Sequence, residues 1–167
     1  MNKRSSPSRL LALAVFLLLV VLGYYFGALH VREAGGGVVL AATELPSALM
    51  DPYLRVQMAL ASDKTATVKP DAGAIVAAAT ALGQQASPIV GAARELERAS
   101  NPTTVRAAFG GLSDALLAYA KATGAQPPAG VGVAFCPMVQ RFWMQKGSDI
   151  RNPYYGSAML TCGELRK

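Results

Sequence analysis

Histidine is almost missing from this 167-residue chain. His30 is the only one, and it closes a long apolar run instead of lying among the polar residues downstream. With no imidazole further along, no Ser-His-Asp set, no histidine acid or base and no His-rich zinc site can be assembled there. The acidic residues show no paired motif that would compensate, and Gly35, Gly36 and Gly37 lack the lysine and following helix that a phosphate-cradling loop needs. An enzyme is not expected. A basic stripe is also missing. Lys3, Arg4, Arg9 and Arg32 are four of the 16 basic residues, so the remainder carries 12 against 10 acidic ones and offers nothing to track a nucleic-acid backbone. There is no internal repeat, and no stretch shows the alternation and turn signals of a sheet protein.

What is present begins with an uncharged run. From Leu10 to Val31 there is no Asp, Glu, Lys or Arg, which reaches the roughly 20 apolar residues required to cross a bilayer as a helix. Lys3, Arg4 and Arg9 precede it, so the positive-inside bias places the start in the cytoplasm and exports the rest. Residues 1–31 are expected to be a start and transmembrane anchor, giving a single-pass inner-membrane protein facing the periplasm. A cleaved signal peptide is the alternative, but its apolar region is usually only about 7 to 15 residues, with a small-residue site directly after it. Residues 32–48, rich in Gly and Ala, read as a flexible tether.

Residues 49–167 read as the exported domain. Asp51-Pro52, Pro70-Asp71, Ser87-Pro88 and Asn101-Pro102 are helix-start or helix-break signals. Val105, Phe109, Leu112, Leu116 and Tyr119 follow the last of these at helical spacing, and Gly124 is a stop. Helices are expected near 50–63, 70–98 with a break at Ser87-Pro88, and 102–122. The expected class is all-α: a small antiparallel helical bundle with an irregular C-terminal Cys/Met segment, preceded by one transmembrane helix.

The last 33 residues hold both cysteines, three of the six methionines and the only tryptophan. In order they are CPM at 136–138, Phe142-Trp143-Met144, NPYYG at 152–156 and MLTCG at 159–163. Thiols and thioethers are soft donors that select Cu(I) over hard ions, which makes Cys136, Met138, Met159 and Cys162 the candidate metal ligands. Met159 and Cys162, three apart, share a face if that stretch forms a helical turn. Met50 and Met58 read as core filling on the first helix, and Trp143 with Phe142 as packing. The NPYYG turn would fold Met159 and Cys162 back toward Cys136. Two cysteines in an oxidising compartment also form a disulfide readily, which leaves metal site, staple and free thiols all open.

CPM, Trp143, IRNPYYG at 150–156, ML-x-CG at 159–163 and the upstream R-x-x-F-x-x-L-S at 106–113 together resemble a family of unknown function. Its members are stand-alone exported proteins or are fused to periplasmic adaptor subunits of heavy-metal efflux pumps. The resemblance covers about residues 49–166 and implies a periplasmic helical domain associated with copper resistance, with a metal-efflux component as partner. Phe135 stands where many members carry His, which removes one nitrogen ligand. The leading expectation is a soft-metal module that buffers, senses or hands on copper. The runner-up is an interaction module, stapled by Cys136 and Cys162, that docks onto an envelope partner.

Overall fold

A computed structural model describes residues 43–166. Among the described residues four helices come first: α1 (Ser47–Ala61), α2 (Lys69–Ala81), α3 (Ser87–Arg98) and α4 (Pro102–Thr123). Each packs on its neighbour in the chain.

In α1 the side chains of Leu49, Tyr53, Val56 and Leu60, spaced by four, three and four, are all buried. That stripe carries the helix one turn further back than Asp51-Pro52, and Pro52 lies within it. Pro52 is the sixth residue of the helix, past the first turn, so α1 forgoes the amide bond that another residue there would give the Ala48 carbonyl, and the burial of the stripe offsets that loss. Ahead of α1, the Leu45 amide donates to the Gln126 carbonyl at 2.8 Å and the Gln126 amide to that of Thr43 at 2.9 Å. The folded part therefore reaches back to Thr43, into the stretch expected as tether.

The stretch expected at 70–98 with a break at Ser87-Pro88 is two helices, separated by a turn in which Gly83 has a positive φ of 82°. Pro88 opens α3, where its ring already has a helical φ. Ala72, Ala79, Ala86 and Ala93 are fully buried, so small side chains line the seam between α2 and α3. At the start of α4, Asn101 accepts from the Thr104 amide at 3.0 Å, and the Thr104 hydroxyl accepts from the Asn101 amide at 3.4 Å, forming a capping box. Gly124 ends it in the left-handed region at φ 72°.

The all-α expectation is overturned after α4. Strands β1 (Val131–Cys136), β2 (Arg141–Lys146) and β3 (Glu164–Arg166) form an antiparallel sheet ordered β2-β1-β3, so the chain is mixed α/β. The strands escape notice in the sequence for a physical reason. In β1 the large residues Val131, Val133 and Phe135 alternate with Gly132, Ala134 and Cys136, which are small but not polar, so the apolar/polar period of a half-exposed strand is absent. In β2 three successive residues, Trp143, Met144 and Gln145, are buried on both faces. The hairpin loop at 137–140 has neither Gly nor Asn, and Gln140 takes the positive φ of 53°.

Among the described residues no helix is long and apolar enough to cross a membrane. The run at 10–31 expected to do so lies outside the described residues.

Candidate functional site at the two cysteines

Pairing of Ala134 with Trp143 and of Cys136 with Arg141 puts these residues on one face of the hairpin. The segment between β2 and β3 returns across that face. Trp143 meets Tyr154 edge-on at 5.8 Å, and Tyr154 is followed by Phe109 and then Tyr53, ring to ring at 6.0 and 5.2 Å. An aromatic ladder thus runs from the sheet into α4 and α1.

β2 is an edge strand whose outward backbone groups would otherwise lie buried without partners. Tyr53 accepts from the Met144 amide at 3.0 Å and shares a hydrogen bond with Ser113 at 2.8 Å. Tyr154 donates to the Phe142 carbonyl at 2.5 Å. Burial pushes both phenols far above their ordinary range, so both stay neutral and keep their hydroxyl proton. Every buried side-chain nitrogen and oxygen among the described residues has a partner.

The NPYYG segment is clamped to the helices by charge. Arg106 donates to the Leu60 carbonyl at 2.9 Å, to the Pro153 carbonyl, and to Asp63 at 2.6 Å. Asp63 in turn accepts from the Ser157 amide at 3.0 Å. Hydrogen bonding to Ser157, reinforced by the Arg106 charge, holds the Asp63 carboxyl below the ordinary carboxylate range. Gly156 lies directly on this ion pair: at φ 57°, a Cβ there would stand 2.0 Å from an Asp63 oxygen and 2.7 Å from an Arg106 nitrogen.

Asn152, fully buried, joins this clamp to the cysteines. Its side-chain oxygen accepts from the Tyr154 amide at 2.7 Å. Its side-chain nitrogen donates to the Cys136 sulfur at 3.2 Å and to the Cys162 carbonyl at 2.7 Å. Gly163, at φ 140°, lets this strand approach β1, since a Cβ would lie 2.7 Å from the Trp143 ring and 2.9 Å from the Phe135 carbonyl. The outcome is that the returning segment carries Cys162 alongside the Cys136 end of β1, where Phe135 pairs with Glu164. Burial first, then the neighbouring Cys136, raises the Cys162 thiol above its ordinary range. Both cysteines carry free thiols in the structure.

Of the four candidate ligands the fold brings together Cys136 and Cys162. Met159 ends a 3-10 turn, Gly156–Met159, and accepts the Cys162 amide at 3.0 Å through its carbonyl. Met138 is on the hairpin loop with 60% of its surface exposed. Met144 is buried in β2 and Met50 in α1, whereas Met58 is 47% exposed. Among the described residues no three His, Cys, Asp or Glu side chains gather as a metal set. The two sulfurs by themselves are a donor pair of the right softness for Cu(I). Sequence reasoning took Asn152 for a turn former and missed it as a hub. It also missed Arg106 and Asp63 as a clamp, because their partners are backbone groups and a glycine far along the chain.

The fold and its cysteine pair define a small α/β domain with a dithiol at the seam between strand and returning segment. No family model, curated protein or solved structure matches the chain.

Proposed function

We propose that the chain is an interaction module, held on the outer face of the inner membrane by residues 10–31, whose C-terminal unit is stapled by a Cys136–Cys162 disulfide. One observation carries this reading: one buried asparagine nitrogen bonds both the Cys136 sulfur and the Cys162 backbone, where the returning segment pairs with β1. In an oxidising compartment such a pair closes, contributing about 3 kcal/mol by constraining the unfolded chain. Of the other signature residues, Arg106, Phe109, Ser113, Asn152 and Tyr154 are engaged in holding the C-terminal unit to the helices. What is left for a partner is apolar surface around the sheet, where Met138, Phe142 and Leu165 are exposed. The family resemblance supports a metal-efflux component as that partner.

Met159, one turn ahead of Cys162, favours a second reading in which the reduced pair holds one Cu(I) assisted by Met159 or Met138. Intact mass of the full chain, with and without reductant and with Cu(I), decides between them. The staple reading expects a loss of two protons that reductant reverses, and no retained copper. A reduced chain that retains one Cu(I), and loses it on Cys136→Ser or Cys162→Ser far more than on Met138→Leu or Met159→Leu, overturns the staple in favour of the metal. N-terminal sequencing tests the anchor: mature protein beginning after Ala28 or Ala41 rules it out.

A further inference from the structure

The two sulfurs differ in access. Cys136 has no exposed surface, enclosed on its own face by Ala134, Trp143 and the Asn152 amide. Cys162 is half-buried, and Thr161 before it and Glu164 two residues on are exposed. A thiol reacts with a disulfide only along the line of the S–S bond, so access decides which sulfur is struck first. Both cysteines are nevertheless tied to one point, since the Asn152 nitrogen lies 3.2 Å from the Cys136 sulfur and 2.7 Å from the Cys162 carbonyl.

We propose that the pair is closed by ordered thiol-disulfide exchange with a disulfide donor, in which Cys162 is the thiol that meets the donor and Cys136 the one that resolves it. This rests on the staple reading. In the first step the deprotonated Cys162 sulfur attacks one sulfur of the donor R–S–S–R. The donor S–S bond breaks, one R–S⁻ leaves and takes up a proton, and Cys162 is joined to R by a mixed disulfide. In the second step Cys136, its proton given to solvent, attacks the Cys162 sulfur. The mixed disulfide breaks, the second R–S⁻ leaves and is protonated, and the Cys136–Cys162 bond is made. Two protein thiols are oxidised and one donor disulfide is reduced to two thiols, with no other oxidant required. The Asn152 N–H points at the Cys136 sulfur, which carries the negative charge before it attacks, and an amide donor favours that thiolate. The second hydrogen bond of that nitrogen, to the Cys162 carbonyl, fixes the backbone of Cys162, so the mixed disulfide forms beside Cys136.

The test uses the full chain, reduced, in detergent, with oxidised glutathione as donor and intact mass as readout. The parent is expected to pass to the bridged form without retaining glutathione. Cys136→Ser is expected to accumulate one glutathione on Cys162. Cys162→Ser is expected to take up glutathione at least ~10-fold more slowly while folded, and at the Cys136→Ser rate once unfolded in denaturant. Cys136→Ala is the second variant should the serine disturb the packing, with the near-ultraviolet signal of Trp143 reporting the fold. Equal rates in the two folded single-cysteine variants, with the parent still bridging, overturn the order and leave the staple standing. A parent that retains glutathione on both cysteines overturns the staple and the proposal together.

Discussion

From Ser47 to Thr123 the buried side chains are almost all aliphatic or alanine at helical intervals, whereas from Val131 onward they include Trp143, Gln145, Asn152 and Tyr154 among short strands and turns. The two buried polar residues of the helices, Gln57 and Ser113, both serve the second region. Gln57 donates to the Arg151 carbonyl at 2.6 Å, and Ser113 bonds Tyr53, which receives the Met144 amide. Within the second region, Gln145 accepts from the Trp143 ring and the Arg151 amide, each at 3.0 Å, and donates to the Asp149 carbonyl at 2.8 Å. A helix satisfies its own backbone and asks its side chains only to pack. An irregular segment leaves amides and carbonyls that side chains must meet. The C-terminal region is therefore specified by individual polar residues, and the helical region by a repeating pattern.

The largest effect is expected from the residue that belongs to both regions. Phe109→Ala removes the ring stacked between Tyr53 and Tyr154 and should cost about 3–5 kcal/mol in chemical denaturation, with helical and tryptophan signals lost in one transition. Two separated transitions in the unmodified protein would show that the regions are independent and that the comparison needs redrawing. Asn152→Leu should cost a comparable amount, about 1–3 kcal/mol for each of the Tyr154 amide and the Cys162 carbonyl left without a partner. Its effect should fall on one region, with the near-ultraviolet signal of Trp143 changed while the far-ultraviolet helical signal stays. A uniform loss of both would place Asn152 in the common core.

The smallest effect is expected from the exposed clamp residue, and its signature is pH. The carboxyl of Asp63 is held below its unfolded value, so its contribution is present above the ordinary carboxylate range and lost as pH falls through the depressed folded value. Asp63→Asn should flatten the acid limb of the stability profile, with little change once the wild-type group is protonated. An unchanged acid limb would remove the charge from the clamp and leave Arg106 to its two carbonyl partners.

The helices were legible because their apolar stripes, their prolines and the cap at Asn101 act locally. Their boundaries moved where burial extended the stripe, as at Leu49 ahead of Pro52. The sheet was not legible, although Val131, Val133, Phe135, Phe142 and Trp143 are the β-branched and aromatic residues that strands favour. The small residues between them hid the alternation, and the loop after Cys136 carries none of the usual hairpin residues. The NPYYG segment was recognisable as a turn, and it does return Cys162 to Cys136. Nothing local announced that Arg106 and Asp63 hold it.

The sequence by itself determined four helical segments, because periodicity and capping are read over a few neighbouring residues. It also determined that the soft donors cluster in the last 33 residues. Only the tertiary structure decided which donors meet. Strand pairing turns Cys136 inward and leaves Met138 on the exposed loop, and the lack of a side chain at Gly163 lets the returning segment approach β1. Asn152 then ties both cysteines to one buried nitrogen. These are contacts between residues remote in the chain, set by packing and by the need to satisfy buried backbone groups, and no local pattern encodes them.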